Sequence, residues 1–297
     1  MIQSIYYMDQ TITILTPTDW KDYELIDSGD GMKLERFGTY IVARPDPRAV
    51  WQRKAPLAWE HAHAHFIRSA IDEGHWDIHT PPPHDWSVRY HDIVFTLKPT
   101  SFKHVGIFPE QAVNWQWMQK IINAKPIRIL NLFAYTGGAT MAALSSGAQV
   151  THVDSAKSTI EWAKANVEAS KLTDKPIRWI TDDAYKFAFR ETKRKNTYDG
   201  IILDPPRFGR GPKGEIWKIE NDLPKLLSVC RELLSPTPAF ILLNAYTADL
   251  SSLVLSHLLA DMTSHLGGSM TAGELTITDS TSNRLLPNGI FARWSAS

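Results

Sequence analysis

The chain has 297 residues, a length typical of about two domains of roughly 150 residues each. Hydrophobic residues make up 43% of the chain and charged residues 22%, which is the composition of a globular protein and excludes a disordered chain. The 32 lysines and arginines balance the 32 aspartates and glutamates. A balanced net charge argues against a protein that is held on nucleic acid by bulk electrostatics.

The cysteine count and the length of the apolar runs indicate the cellular compartment of the protein. Cys230 is the only cysteine in the sequence, which excludes an intrachain disulfide and an all-cysteine metal site. No apolar run in the sequence approaches the ~18 residues that a membrane span needs. Residues 1–9 contain neither the basic nor the long apolar segment of a secretion signal. We therefore predict a cytoplasmic protein that has no membrane partner.

The charges are unevenly distributed along the chain. Residues 1–95 carry 9 basic and 14 acidic side chains, whereas residues 96–297 carry 23 and 18. Within the second part, residues 186–218 hold nine basic side chains against four acidic ones. Such a patch can steer a polyanion toward the protein, and it is equally typical of a solvated lysine-rich loop. The sequence leaves these two interpretations open.

The first 95 residues are predicted to form short strands broken by turns. An apolar run at residues 23–26 leads into Asp27-Ser-Gly-Asp-Gly31, a typical hairpin turn. A loosely alternating run follows at residues 34–43, and a further strand is predicted at 93–97, after a proline break at 80–83. We predict a small β-rich accessory domain over residues 1–95, a candidate for substrate binding.

The second part has a different hydrophobic pattern, in which apolar runs are short and do not alternate with polar residues. A stretch with helical periodicity lies at residues 158–172, between two of these runs. The runs lie at residues 127–133, 150–153, 177–180, 200–203 and 239–243. Runs of this kind are typical of parallel strands buried on both faces. Strands that alternate with helices predict a doubly wound α/β sheet over residues 96–297.

Polar residues and glycines follow these runs, where the carboxyl ends of parallel strands meet at one edge of a sheet. In chain order, the segments at the strand ends are Asn131-Leu-Phe-Ala-Tyr-Thr-Gly-Gly138, Asp154, Asp182-Asp183, Asp204-Pro-Pro-Arg-Phe208 and Asn244-Ala-Tyr246. Acidic side chains at successive strand ends are hard to explain by packing. We therefore predict that this edge forms a ligand-binding crevice.

The residues of the crevice indicate the chemistry of the ligand. The glycine-containing loop lacks the patterns of a dinucleotide-binding fold and of a P-loop. Asp154 stands about twenty residues beyond that loop, where an acid can accept hydrogen bonds from both ribose hydroxyls. Together with Asp183 and Asp204, it suits a nucleoside that carries a cation rather than phosphates, such as S-adenosylmethionine. Taken singly, Gly137-Gly138 is also typical of a tight turn, and Asp154 of a helix N-cap.

The ordered set of motifs resembles class I S-adenosylmethionine-dependent methyltransferases, which have a Rossmann-like sheet. It is similar in particular to the group related to bacterial 23S ribosomal-RNA large-subunit methyltransferases. Gly106-Ile-Phe-Pro-Glu-Gln111 resembles the segment that precedes the first strand in this family, and residues 284–294 resemble its closing antiparallel hairpin. The resemblance covers about residues 98–297, whereas residues 1–95 match only loosely.

The resemblance implies a set of cofactor-binding residues. The backbone of residues 133–138 wraps the methionine part, Asp154 accepts the ribose hydroxyls with Ser155 beside it, and Asp183 with Ala184 binds the adenine. Gln111 reaches the cofactor from the preceding segment. The implied cofactor-binding residues are Gln111, Asn131, Phe133, Ala134, Tyr135, Gly137, Gly138, Asp154, Ser155, Asp183, Ala184 and Asp204. The implied product is S-adenosylhomocysteine.

The resemblance also implies the catalytic residues Asp204, Pro205, Pro206 and Phe208. Two prolines restrict the backbone, so that the Asp204 carboxylate and nearby carbonyls have fixed directions. In relatives with an aromatic residue in this motif, a base amine donates to that carboxylate and to a backbone carbonyl, and the aromatic ring stacks on the base. Methyl transfer requires alignment of the two reactants more than strong acid or base catalysis.

Two residue types limit the alternatives. Methylation of cytosine carbon 5 uses a cysteine nucleophile in some relatives, but Cys230 lies in an apolar helical stretch, where a buried structural role is expected. His61, His63 and His65 would share one face of a strand but splay on a helix, and no carboxylate or cysteine stands nearby at zinc-site spacing. We predict no metal site.

The sequence thus predicts a methyltransferase that modifies a nitrogen of a base in ribosomal or other structured RNA, which is the predicted partner. One alternative is a methyltransferase for a protein or a small molecule, which the neutral net charge keeps open. Another alternative is a non-catalytic RNA-binding protein that retains the cofactor pocket. The intact Asp204-Pro-Pro-Arg-Phe208 motif argues against the second alternative.

Overall fold

A computed structural model of the chain describes residues 12–70, 73–211, 214–247 and 249–296. Residues 1–9, on which the argument against a secretion signal depends, lie outside these ranges. Among the described residues, no helix is both long and apolar enough to cross a lipid bilayer.

The large sheet has eight strands in the described part of the chain. In spatial order they are β1 (Thr13–Leu15), β16 (Ser269–Thr278), β17 (Leu285–Ser295), β15 (Phe240–Ala245), β12 (Gly200–Leu203), β9 (Arg128–Leu132), β10 (Gln149–Asp154) and β11 (Ile177–Thr181). From β15 to β11 all neighbours are parallel, whereas β17 runs antiparallel to both β15 and β16. The doubly wound α/β sheet and the closing antiparallel pair are therefore confirmed.

Burial on both faces explains why the sequence located the parallel strands. Every residue of β12 and β15 is buried, as are all residues of β9 after the first. A strand covered by helices on both sides needs apolar side chains at consecutive positions, which produces short continuous runs. The five predicted runs coincide with β9, β10, β11, β12 and β15.

Helices cover the two faces of this sheet. They are α1 (Ala112–Ile122), α2 (Gly138–Ser145), α3 (Lys157–Ala169), α4 (Ala184–Lys193), α5 (Ile219–Glu232) and α6 (Ser252–Thr263). Buried side chains of α1, α2 and α3 share one apolar cluster, and those of α4, α5 and α6 share another. The two sets of helices therefore lie on opposite faces of the sheet.

The amino-terminal part is rich in β-structure, as predicted. Its strands are β2 (Tyr23–Gly29), β3 (Met32–Phe37), β4 (Tyr40–Pro45), β5 (Ala64–Ala70), β6 (Glu73–Ile78), β7 (Ser87–Tyr90) and β8 (Ile93–Thr96). Strands β2 to β6 form one sheet and β7 with β8 a second. Short 3-10 helices occur at Pro56–His61 and Pro109–Gln111, and β13 (Phe208–Arg210) pairs with β14 (Ile216–Lys218).

The run predicted at residues 34–43 is not continuous. It divides into the end of β3 and the start of β4, which pair antiparallel with each other. Gly38 between them has φ of 64°, a left-handed value that a residue without a side chain adopts at little cost. The turn that this glycine allows interrupts an otherwise acceptable strand pattern.

The boundary predicted at residue 95 stays a prediction, but contacts cross it. Strand β1 joins the large sheet by pairing with β16. Leu25 and Phe37 belong to the same apolar cluster as Ile129 and Met141. In addition, the Ser28 hydroxyl donates a hydrogen bond to the Asp279 carboxylate at 3.1 Å. The β-rich part is therefore packed directly against the large sheet.

A buried ion pair links β3 to β4 inside the β-rich part. Arg44 Nε donates to Glu35 Oε2 at 2.7 Å, and the Tyr23 hydroxyl donates to Glu35 Oε1 at 2.9 Å. Burial alone would raise the pKa of Glu35, but the neighbouring Arg44 and Lys33 side chains outweigh it and hold that pKa below its usual value. The Glu35 carboxylate is therefore charged and depends on its cationic partners.

Replacement of Arg44 by methionine is expected to lower the free energy of unfolding by about 3–5 kcal/mol, because the buried Glu35 carboxylate loses its main partner. Urea denaturation followed by tryptophan fluorescence measures the change. Arg36→Met is the matched control, because its 3.0 Å pair with Glu24 is partly exposed and is worth at most about 1 kcal/mol. Equal losses in the two variants would contradict the importance of the buried pair.

Candidate functional site

The predicted site residues lie along the carboxyl edge of the parallel strands. Asp154 is the last residue of β10, Asp183 follows β11 and directly precedes α4, and Asp204 directly follows β12. The loop between β9 and α2 begins at Phe133 and leads to Gly138, the first residue of α2. Crossovers that run in the same sense thus bring acids from separate loops to one edge of the sheet.

The loop after β9 turns sharply into α2. Phe133, Tyr135 and Gly137 have φ of 57°, 49° and 90°, in the left-handed region that residues with a side chain rarely adopt. At Gly138, a Cβ atom would stand 2.6 Å from the ring of Trp115. Backbone strain concentrated in one loop is typical of functional sites. Glycine at position 138 allows the amino terminus of α2 to approach the Trp115 ring.

Asp154 fixes this loop from the neighbouring strand. The Tyr135 backbone N–H donates to Asp154 Oδ2 at 2.9 Å, and the Ala156 N–H donates to Oδ1 at 3.0 Å. Burial raises the pKa of Asp154. Each carboxylate oxygen has a second lone pair, so both oxygens can accept a further hydrogen bond.

The helix N-cap that the sequence left open for Asp154 occurs at Asp183 instead. Asp183 Oδ1 accepts a 2.9 Å hydrogen bond from the Lys186 N–H in the first turn of α4. The cap of α3 is Ala156, which follows the partly exposed Ser155. Ala184, the first residue of α4, is buried. Asp183 thus stabilises α4 through Oδ1, and its second carboxylate oxygen, Oδ2, does not take part in the cap.

One cleft at the carboxyl edge brings several predicted residues together. Among the predicted residues, it is lined by Gln111, Asn131, Phe133, Ala134, Tyr135, Gly138 and Asp204. The described lining does not include Gly137, Asp154, Ser155, Asp183, Ala184, Pro205, Pro206 or Phe208. Phe108 and Asn244, which lie in segments that the sequence singled out but were not among the predicted cofactor-binding or catalytic residues, also line the cleft.

Asp204 presents a buried carboxylate oxygen to this cleft. Among the described residues, Asp204 Oδ1 is fully buried and has no hydrogen-bond partner. Burial, and secondarily the buried carboxyl of Glu110, raises the pKa of Asp204 to about 7. A buried acceptor without a partner costs free energy in the folded protein unless a ligand satisfies it. The arrangement therefore suits a ligand that donates a hydrogen bond at this position.

The residues after Asp204 form a short hairpin of β13 and β14 that the sequence did not reveal. Trp217 Nε1 donates to the Pro206 carbonyl at 2.7 Å, and the Ile219 N–H donates to the Arg207 carbonyl at 3.0 Å. Pro205 is buried, whereas the Phe208 side chain is 52% exposed. The hairpin thus holds an aromatic ring at the surface, four residues beyond Asp204.

Sequence reasoning named Gln111 and Asn244 separately but missed the polar network that joins them at the cleft. Gln111 Nε2 donates to the Tyr246 hydroxyl at 2.6 Å, and Asn114 Nδ2 donates to Gln111 Oε1 at 2.7 Å. Asn114 Nδ2 also lies 2.9 Å from Asn244 Oδ1, and Arg293 Nε donates to Asn114 Oδ1 at 2.7 Å. The signals in the sequence were Gln111, at the end of the segment before α1, and the position of Asn244-Ala-Tyr246 at a strand end.

The three clustered histidines do not share one environment, since His61 is exposed whereas His63 and His65 are half-buried. His61 ends a 3-10 helix, and the ring of His63 stacks on Tyr40 with centroids 5.0 Å apart. Among the described residues, no group of three histidine, cysteine or acidic side chains is placed to hold a metal ion. Cys230 is buried in α5, and burial raises the pKa of its thiol to about 12. The buried position predicted for Cys230 is confirmed.

Residues 60–257 match the model of a protein family described as S-adenosylmethionine-dependent methyltransferase. This range is more than half of the chain. The chain belongs to the S-adenosylmethionine-dependent methyltransferase family. The predicted family, enzyme class and cofactor are thereby confirmed.

Two solved structures are similar to this methyltransferase. A methyltransferase from Agrobacterium tumefaciens is 39% identical in sequence and superposes with a TM-score of 0.91. The superposition covers 96% of this chain and 94% of the Agrobacterium chain. A methyltransferase termed SMU.776, crystallised with S-adenosylhomocysteine, is 19% identical, with a TM-score of 0.71 over 93% of this chain and 76% of its own. At that identity, the second likeness shows the fold alone.

Among curated proteins, the ribosomal RNA large subunit methyltransferase K/L of Hahella chejuensis is 33% identical over 152 residues. The matched region is 50% of this chain and 20% of that protein. A Pseudoalteromonas translucida protein of the same name is 31% identical over 152 residues, with 50% of this chain and 21% of that protein covered. This chain therefore spans about a fifth of the length of these relatives.

The hydrogen-bond acceptors at the carboxyl edge of the sheet fit S-adenosylmethionine. The carboxylate of Asp154 retains acceptor capacity for hydroxyl groups, and the cleft has unpaired acceptor capacity at Asp204 Oδ1. Gly138 leaves space that a Cβ would fill beside Trp115. Acidic side chains would repel the phosphates of a dinucleotide, whereas they attract the sulfonium and amino groups of this cofactor.

Gly138→Ala is expected to lower the free energy of unfolding by about 1–3 kcal/mol, because the added methyl group overlaps the Trp115 ring. Thermal or urea denaturation measures the loss. Gly267→Ala is the matched control, because a Cβ at position 267 meets nothing within 4 Å. We expect Gly267→Ala to change stability by no more than about 0.5 kcal/mol. A Gly138→Ala protein as stable as the wild type would contradict the packing argument.

Proposed function

We propose that this methyltransferase transfers a methyl group to a nitrogen atom of a base in ribosomal or other structured RNA. The observation that carries the proposal is the buried oxygen of Asp204, which has no hydrogen-bond partner in the part of the chain that the structure describes, with the exposed ring of Phe208 four residues further on. A base amine donates hydrogen bonds, and its ring system offers a face for stacking. These two properties match the carboxylate and the aromatic ring.

Relatives support RNA as the acceptor class. The curated proteins from Hahella chejuensis and Pseudoalteromonas translucida are named as methyltransferases of large-subunit ribosomal RNA, and the match to them includes half of this chain. Their identity of 31–33% over that half supports the same acceptor class for this protein.

We further propose how the cofactor is held. The backbone of residues 133–138 lies around the methionine part, Asp154 and Ser155 bind the ribose, and Asp183 with Ala184 binds the adenine. The side-chain amide of Gln111 is already hydrogen-bonded to Tyr246 and Asn114. Gln111 therefore contacts the cofactor only if one of these hydrogen bonds is shared or broken. When bound, S-adenosylmethionine supplies the methyl group.

The residues of this chain then orient the acceptor and receive its proton. The Asp204 carboxylate, with Pro205 and Pro206 restricting the backbone, accepts a hydrogen bond from the acceptor amine and fixes the direction of the nitrogen lone pair. Phe208 stacks on the base. A nitrogen that gains a methyl group must lose a proton, and Asp204, whose side chain lines the cleft, is proposed to accept it. A pKa of about 7 matches this task at neutral pH.

The proposed function is tested by incubation of the purified protein with tritium-labelled S-adenosylmethionine and in vitro transcribed large-subunit ribosomal RNA. The transcript lacks all modifications, so every acceptor nitrogen is free. We expect label in the RNA fraction, and nuclease digestion followed by chromatography to identify an N-methylated base. Label in a protein or a low-mass fraction instead would overturn RNA as the acceptor, and a carbon-methylated base would overturn nitrogen.

Asp204→Ala is expected to lower kcat by about a hundredfold or more, because the acceptor amine loses its orienting carboxylate and proton acceptor. Affinity for S-adenosylmethionine, measured by calorimetry, is expected to stay within about tenfold, since the proposed role is in the transition state. The wild-type rate is expected to rise with pH through about 7, as the Asp204 carboxylate deprotonates.

Two variants sharpen this prediction. Asp204→Asn keeps an acceptor oxygen but cannot titrate, so the rise in rate near pH 7 is expected to disappear in this variant. Asp154→Ala is the contrasting variant, with the loss expected in cofactor affinity rather than at the acceptor. A pH profile that is identical in the wild type and Asp204→Asn would refute the role of Asp204 as the proton acceptor.

A further inference from the structure

Helix α4 exposes aromatic rings on the face that points away from the sheet. Its buried side chains, Ala184, Phe187 and Ala188, pack in the apolar cluster that it shares with α5 and α6. Tyr185 and Phe189 lie one helical turn apart on the other face, 37% and 45% exposed, with ring planes only 11° from parallel and centroids 6.4 Å apart. Adjacent exposed rings of this size mark a contact surface more often than a lone exposed side chain does.

The β13–β14 hairpin extends this surface toward the cleft. Lys186 on α4 forms an ion pair with Glu215, which directly precedes β14. The hairpin begins with Phe208, whose ring is exposed, and Arg207 is the single residue between it and the Asp204-Pro-Pro motif. The exposed rings of α4 are therefore joined by a direct contact to the hairpin beside the proposed acceptor site.

Cations are interleaved with these rings. The Lys193 ammonium lies 4.9 Å from the centroid of Phe189, within cation–π distance, and Arg190 pairs with Asp182. Residues 186–218 hold nine basic side chains against four acidic ones, in a chain whose net charge is zero. We name this surface, formed by Tyr185, Lys186, Phe189, Arg190, Lys193 and Phe208, the aromatic–basic face.

We propose that the aromatic–basic face binds the single-stranded RNA that flanks the target base. The inference rests on the proposed function and adds to it the surface that holds the substrate outside the acceptor site. Aromatic rings stack on bases of any sequence, and neighbouring cations neutralise the backbone phosphates. A polyanion is also the occupant that a local excess of positive charge favours in an otherwise neutral protein.

The position of the face fits this occupant. A base placed on Phe208 belongs to a strand whose next nucleotides must leave along the protein surface. Helix α4 adjoins the hairpin through the ion pair of Lys186 with Glu215. Continuity with the acceptor site thus gives the flanking nucleotides a path over Phe189 and Lys193. Recognition of this kind selects unpaired RNA, because stacking requires exposed base faces.

The test measures binding of a fluorescein-labelled, single-stranded RNA oligonucleotide of mixed sequence by fluorescence anisotropy at several salt concentrations. Phe189→Ala is expected to weaken RNA affinity by about fivefold or more, because one stacking platform is lost. Lys193→Gln is expected to reduce the slope of log affinity against log salt concentration by about 0.7, the value for one lost phosphate contact on a single strand. Tyr185 is left intact because it adjoins the proposed adenine site.

Matched controls lie elsewhere on the surface. Phe102→Ala removes another exposed ring, 56% exposed, and Lys164→Gln removes a lysine of α3, with a side chain 43% exposed, on the opposite face of the sheet. We expect both controls to bind RNA as the wild type does, and all four variants to retain wild-type affinity for S-adenosylmethionine by calorimetry. Cofactor affinity thereby separates loss of RNA contact from loss of folding.

Three results would overturn the inference. If Phe189→Ala and Lys193→Gln bind RNA as their controls do, while the wild type methylates RNA, the aromatic–basic face fails and the proposed function stands. If the variants change only the molecular mass of the protein measured by sedimentation, and not its affinity for RNA, the face is a protein–protein contact. If the wild type neither binds nor methylates RNA, the proposed function fails together with the inference.

Discussion

The parallel pairing of β15, β12, β9, β10 and β11 is the constraint on which the site depends. Parallel neighbours require crossover connections, and crossovers of one hand place every loop that follows a strand at the same edge of the sheet. Asp154, Asp183 and Asp204 therefore meet at that edge although each belongs to a different crossover. No local interaction between these acids is needed to bring them together.

Burial at this edge carries a cost that the ligand can offset. Asp204 Oδ1 is buried without a hydrogen-bond partner among the described residues, and the same burial raises the pKa of the carboxyl toward neutrality. The left-handed backbone of Phe133 and Tyr135 adds strain to the loop after β9. An arrangement that is unfavourable in the folded chain alone becomes favourable when a donor occupies the cleft. The proposed function uses this oxygen as a preorganised hydrogen-bond acceptor.

The β-rich part and the large sheet are joined by strand pairing and by a shared apolar cluster. Strand β1 pairs with β16, and an apolar cluster includes side chains from both parts. The polar network from Arg293 through Asn114 to Gln111 and Tyr246 connects the closing strand β17 to the segment that precedes α1. Gln111 and Asn244, two members of this network, line the cleft, so the network joins the wall of the cleft to β17.

The sequence by itself determined the parallel strands, the order of the polar strand ends and the family. It did so because a strand buried on both faces must be apolar at consecutive positions, and because Asn131-Leu-Phe-Ala-Tyr-Thr-Gly-Gly138 and Asp204-Pro-Pro-Arg-Phe208 are contiguous. Only the tertiary structure decided that Asp183, not Asp154, caps a helix, and that β1 joins the large sheet. It also decided the bond between Gln111 and Tyr246, which are 135 positions apart. Contacts between residues so distant depend on how whole elements pack, and no local pattern in the chain records them.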